Sequence, residues 1–173
     1  MISEKMEKAL NEQIAMEGHS SFVYLSIASW CDKEGLEGCN EFFRRQSDEE
    51  RFHMLKIFNY LSEVDGFAKT PAVEQVPHTF DSIQEVFKLV LVQEQKVTSS
   101  VNDLVTLSLD ENDYTTKNFL EWYVAEQREE EALIRGILDK IKLIGNGSMS
   151  LYYIDKEIQK INQAELAAEG AAE

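Results

Sequence analysis

Apolar residues recur every three to four positions along almost the whole chain, the spacing of helices that each bury one face. The pattern predicts a first helix over about residues 3–33, stopping near Gly35, and a second over about 36–64, stopping at Asp65-Gly66. Residues 67–80 break the rhythm and hold both prolines, Pro71 and Pro77, so an extended connection is expected there. Asp81-x-x-Gln84 and Ser82-x-x-Glu85 are overlapping capping boxes that can start a third helix. That helix should end near Leu109, before the polar turn Asp110-Glu111-Asn112-Asp113. A fourth should run to about Ile144 and stop at Gly145-Asn146-Gly147. Ser148 is a candidate cap for a short fifth helix to about residue 162, with Leu151, Ile154, Ile158 and Ile161 on one face. The Ala/Glu-rich tail, 164–173, is expected to fray.

Loop lengths set the topology. The two short turns make antiparallel hairpins, and the long connection can run the length of the bundle, leaving the second and third helices parallel. The expectation is an all-α, single-domain chain: a four-helix bundle with one long crossover and a short fifth helix.

Heptads laid on these helices put acids where apolar residues belong. Leu10, Glu17, Tyr24 and Cys31 fall seven apart on the first helix. Phe43, Glu50, Ile57 and Val64 do so on the second, with His53 on the adjoining inward row beside Tyr60. Val90, Glu94, Val97 and Val101 share the third stripe. Phe119, Tyr123, Glu126, Glu130, Leu133 and Ile137 share the fourth, with Gln127 at its edge. With a rise of about 1.5 Å per residue, every one of these polar positions lies within one turn of mid-helix. In an antiparallel bundle the middles coincide, so the groups converge.

Buried carboxylates cost several kcal/mol each unless they protonate or pair. No Lys or Arg shares the stripes at that level. Protonation and multivalent metal therefore both remain open. Glu50-Arg51-Phe52-His53 is a Glu-x-x-His, whose two side chains leave one helix face together and can grip one ion. An oxygen-rich set with an imidazole and an amide suits iron, manganese or zinc, and shared carboxylates can bridge two ions. With the heptad phase off by one, Glu126–Glu131 would instead be a solvated charge run.

Composition narrows the classes. The chain has 173 residues, enough for a substantial core, and its net charge is −15, from 32 acids and 17 bases. Such a surface repels nucleic acid and anionic membranes and attracts cations. Cys31 and Cys39 lack a CxxC spacing and read as reduced, unreactive thiols. No apolar h-region opens the chain and no run reaches the roughly 18 apolar residues of a membrane span, so a cytoplasmic protein is expected.

These residues in combination resemble the bacterial non-haem ferritins, over about residues 3–161. Ferritin-like folds are a known example of this architecture, with one long crossover and inward Glu and Glu-x-x-His ligands. The resemblance implies a ferroxidase and iron-storage subunit. Glu17, Glu50 and His53 would hold a first iron, and Glu50 would bridge to a second held by Glu94 and Glu130, with Gln127 facing the pair. Glu49, Glu126, Glu129 and Glu130 match the ligands of a third iron site. Tyr24 matches a tyrosine that gives an electron during oxidation. Fe(II) with dioxygen or hydrogen peroxide would be the substrates, and a homo-oligomeric hollow shell of 24 subunits the assembly, with no nucleic-acid or membrane partner. No haem is expected, because Arg51 stands where haem-containing relatives carry methionine and Gln127 to Glu130 replaces their second Glu-x-x-His.

Two rival readings share most of the pattern: a discrete di-metal oxidase, and a structural acidic bundle that binds partner proteins. His19 and His78 read as surface histidines, and Trp30, Trp122 and the five methionines as packing residues.

Overall fold

The computed structural model describes residues 2–169. Five helices account for most of them: α1 (Glu4–Lys33), α2 (Glu37–Glu63), α3 (Ile83–Asp110), α4 (Tyr114–Ile144) and α5 (Ser150–Glu169). The first four form the bundle, with residues 66–80 extended between α2 and α3.

Local chemistry explains the boundaries. Ser3 caps α1 by accepting the Met6 N–H at 3.0 Å. Of the two overlapping boxes before α3, Ser82 is the one used, accepting from the Glu85 N–H at 3.2 Å. Asp113 caps α4 through the Thr116 N–H at 3.0 Å. Gly35, at φ 76°, turns the chain from α1 into α2, a conformation in which a Cβ would be strained.

The apolar core is in two pieces. One contains Tyr24, Ile27, Phe43, Val90 and Ile134. The other contains Leu10, Ile14, Ile57, Val97 and Tyr123. The first piece takes the C-terminal half of α1, the N-terminal halves of α2 and α3, and the C-terminal half of α4, so α2 and α3 are parallel. Between the pieces lie Glu17, Glu50, His53, Glu94, Gln127 and Glu130, all buried. The crossover is tied along α1: Asn11 donates to the Phe67 carbonyl at 2.9 Å and Ser26 to that of Pro77 at 2.5 Å.

Four details depart from the sequence reading. On α4 the buried positions are Leu120, Tyr123, Gln127, Glu130, Ile134, Ile137 and Ile141, together with Thr116, while Phe119, Glu126 and Leu133 are half-buried. The inward row therefore runs through Gln127, one residue from the expected Glu126. The fifth helix begins at Ser150, after a turn in which the Ser150 N–H reaches the Gly147 carbonyl at 3.0 Å, so Ser148 is not its cap. It continues through residues 164–169, where the composition predicts fraying, because Ala, Glu and Leu are strong helix formers; residues 170–173 lie outside the described residues, as does Met1. Ile154 and Ile158 are buried against α4, but Leu151 is exposed.

Candidate metal centre

Each helix brings its ligand candidates to the gap between the two core pieces. Glu17 comes from α1, Glu50 and His53 from α2, Glu94 from α3, and Gln127 and Glu130 from α4. Ligating atoms of Glu17, Glu50 and His53 lie within 4.8 Å of one another. His53 Nδ1 is 3.9 Å from Glu50 Oε1. Tyr24 donates its phenolic hydrogen bond to Glu94 Oε1, and Gln127 Nε2 donates to Glu94 Oε2 at 3.1 Å.

Among the described residues, Glu17 Oε2, Glu50 Oε2 and His53 Nδ1 are buried side-chain atoms with no hydrogen-bond partner. Natural proteins rarely leave such atoms unpaired, since each costs about 1–3 kcal/mol. The two carboxylate oxygens offer lone pairs, as does Nδ1 when the ring is protonated at Nε2, so a cation held by these three residues can satisfy them. The donor set, carboxylate oxygen with one imidazole, fits iron.

Electrostatics agree with this geometry. Burial raises the Glu17 carboxyl from its ordinary 4.5 to about 7, with hydrogen bonding to Glu50 and Gln13 holding it back. Burial first, then the charges of Glu17 and Glu94, lift Glu50 well above the carboxylate range. As two carboxylates, Glu17 and Glu50 can only repel; with one proton between them they can bond. Glu130 is also lifted well above the ordinary range, by burial and then by Glu49, Glu94 and Glu126. Glu94 is raised by burial against the opposing pull of Tyr24 and Gln127. His53 is lowered to about 4 by burial and then by Lys56, so its ring is neutral at pH 7 and its nitrogens can ligate. A metal ion would displace the protons that the carboxyls hold.

A second group lies toward the surface. Glu49, His53 and Glu126 have ligating atoms within 4.8 Å of one another. They line a cleft of about 430 Å³ with Arg45, Asp48, Phe52 and Trp122. The cleft exists because, among the described residues, α2 and α4 do not approach within 8 Å between Cα atoms. It leads from the buried centre to solvent. A cavity of similar size at Thr79–Lys96 lies against the crossover, and none of the ligand candidates lines it.

Of the third-site candidates, Glu49 and Glu126 thus come together and Glu130 is buried beside the centre. Glu129 is exposed, and Arg128 engages it at 2.8 Å. The structure adds a cation that the stripes did not contain: Arg45 meets Glu49 at 2.9 Å. Arg45 precedes Glu49 by one helical turn, a spacing visible in the sequence, but its row is not an inward one. Gln46 also donates to Glu49, at 2.6 Å. Gln13 is a further buried polar residue that the heptads passed over.

The chain is similar to proteins of known type. A family model described as a ferritin-like domain matches residues 7–144. The chain is 44% identical over 161 residues to a bacterial non-heme ferritin of Campylobacter jejuni, spanning 93% of this chain and 96% of that one. It is 40% identical over 162 residues to a probable bacterial non-heme ferritin-like protein of Haemophilus influenzae, spanning 94% and 98%. An open pore ferritin from the hyperthermophilic archaeon Archaeoglobus fulgidus superposes with a TM-score of 0.89 at 44% identity, over 92% of this chain and 98% of that one.

Proposed function

Because the chain belongs to the ferritin-like family, we propose that it is an iron-storage subunit that oxidises Fe(II) within its own bundle and deposits the product as ferric mineral in a hollow shell. The observation that carries this reading is that Glu17, Glu50 and His53 bring ligating atoms within 4.8 Å of one another, while Glu17 Oε2, Glu50 Oε2 and His53 Nδ1 are buried without hydrogen-bond partners.

In this reading Glu17, Glu50 and His53 hold one Fe(II). Glu50 bridges to a second, held by Glu94 and Glu130 with Gln127 alongside. Two Fe(II) give up one electron each to dioxygen, which leaves with two protons as hydrogen peroxide; peroxide itself, accepting two electrons and two protons, leaves as water. Anionic oxygen ligands favour Fe(III) over Fe(II) because the higher charge gains more from them. In this reading Tyr24, bonded to Glu94, would supply one of the two electrons when a single Fe(II) is bound, giving up its phenolic proton and becoming a tyrosyl radical. The ferric product leaves through the cleft past Glu49 and Glu126, where a third ion can bind; Glu129 would have to swing away from Arg128 to join it. Hydrolysis to mineral then releases protons.

The centre works without haem, and the shell is a homo-oligomer of about 24 subunits in the cytoplasm. No helix among the described residues is long and apolar enough to cross a membrane.

The test is aerobic addition of excess Fe(II) to metal-free protein, followed by iron content and particle mass after gel filtration. Tens of irons or more per subunit in a particle of about 24 chains are expected. Two or three irons per subunit in a small oligomer would make the protein a discrete di-iron oxidase instead. No retained iron would overturn the reading of the centre.

A further inference from the structure

Gln13 lies one turn before Glu17 on α1 and is only 1% exposed. Its side chain makes two hydrogen bonds of opposite kind. Its Nε2 donates to Glu17 Oε1 at 2.7 Å. Its Oε1 accepts from Ser100 Oγ, on α3, at 2.5 Å. A flipped amide would point its oxygen at a carboxylate oxygen, acceptor against acceptor. The Glu17 carboxylate therefore selects which end of the amide faces it, and the Ser100 hydroxyl, which can donate or accept, holds the amide in that orientation. The chain Ser100 to Gln13 to Glu17 has one polarity, and it ties α3 to a ligand candidate on α1.

The effect on Glu17 is specific. One oxygen, Oε1, is held by the amide, and the other, Oε2, is buried without a hydrogen-bond partner. Across the centre, Glu94 is held by donors as well, Gln127 and Tyr24. Gln127 faces the ligand set itself. Gln13 stands behind its carboxylate and acts only through it.

We propose that Gln13, oriented by Ser100, is a positioning residue that fixes Glu17 as a one-oxygen ligand of preset direction and so sets the affinity of the first metal position. This rests on the reading of Glu17 as a metal ligand. Hydrogen-bond partners behind metal ligands typically carry about 10–100-fold in metal affinity, because they remove the cost of orienting the ligand on binding. Gln13 is buried and holds Glu17 by a direct hydrogen bond, so an effect in that range is expected of it.

The experiment is anaerobic Co(II) titration of the assembled, metal-free protein, followed by the visible ligand-field bands. Glu17→Ala identifies the binding step that depends on Glu17. Gln13→Leu should weaken that same step by about 10–100-fold and leave the other step nearly unmoved. Ser100→Ala should weaken it several-fold, and Ser100→Thr, which restores the hydroxyl, should recover wild-type binding. An unchanged Glu17-dependent step in Gln13→Leu would overturn the proposal, as would equal weakening of both steps, the mark of a packing role. Should Gln13→Leu fail to assemble, the Ser100 pair decides alone: equal binding in the Ala and Thr variants overturns the proposal. Wild-type titration by Glu17→Ala would instead remove Glu17 from the ligand set, a failure of the underlying reading and distinct from the other outcomes.

Discussion

Glu50 is costly to bury in the metal-free fold. It is buried, it faces Glu17 and Glu94, and no neighbour among the described residues donates to its Oε2. Replacing a buried charged group by an apolar one of similar size is often neutral or stabilising by about 1–4 kcal/mol. Glu50→Leu should therefore raise the denaturation midpoint of the metal-free protein while abolishing binding at both proposed metal positions, which Glu50 would bridge. A lower midpoint would mean that the carboxylate contributes to the fold without metal. Tyr24→Phe probes the opposite side: Glu94 loses a donor, so its proton affinity should rise and iron oxidation should slow at the acid end of the pH range. A pH profile unchanged from wild type would remove Tyr24 from the electrostatics of the site. Glu17, Glu50, His53 and Glu94 were legible in the sequence because each interrupts a clean apolar row. Gln13, Ser100 and Arg45 were not. Their roles depend on how high α1 stands against α3, or on how far a long side chain reaches across a row, and neither leaves a local signal.

At the scale of elements, α5 is seated on α2 through one close approach. A Cβ on Gly38 would lie 2.4 Å from the Asp155 carbonyl oxygen and 2.8 Å from Gln159 Cβ, so only glycine lets α5 settle on the start of α2. The same contact supplies a cap, since Asp155 Oδ1 accepts the Cys39 N–H at 2.9 Å where Leu36 offers no capping side chain. Gly38→Ala should destabilise the subunit by about 1–3 kcal/mol through overpacking and open the 145–149 connection to protease. A wild-type cleavage pattern would show that α5 docks by its isoleucines alone. The sequence revealed α5 through Ile154 and Ile158 but not its seat, because Gly38 sits inside an ordinary helical pattern. On α4 the inward row differs from the apolar stripe by one position. Phe119 and Leu133 are apolar but only half-buried, and they draw the stripe toward Glu126 and away from Gln127.

For the whole molecule, the buried acids make stability depend on pH with a definite sign. Glu17 is raised from 4.5 to about 7, and Glu50, Glu94 and Glu130 are raised as well. A group with a raised folded pKa holds its proton more tightly when folded, so its contribution is complete below the unfolded value and is lost as pH rises through the folded one. For Glu17 alone the loss between pH 4.5 and 7 is on the order of 3 kcal/mol. His53 works the other way: lowered to about 4, it contributes fully above 6.5 and loses that contribution as pH falls through 4. One histidine therefore opposes four carboxyls, and the sum is a metal-free protein whose stability falls from about pH 5 to about pH 8. Ordinary carboxylates titrate near 4, so the surface charge behind the net −15 is largely set before this window opens. Metal binding removes the same protons, so the metal-loaded protein should show a flat or rising profile over that range. Denaturation midpoints at about pH 5, 6, 7 and 8, with and without Zn(II), measure both slopes, and Glu50→Leu should shrink the difference between them. Parallel slopes with and without metal would mean that the buried carboxyls do not exchange protons for the ion, and that the polar layer dividing the core is held by protons alone.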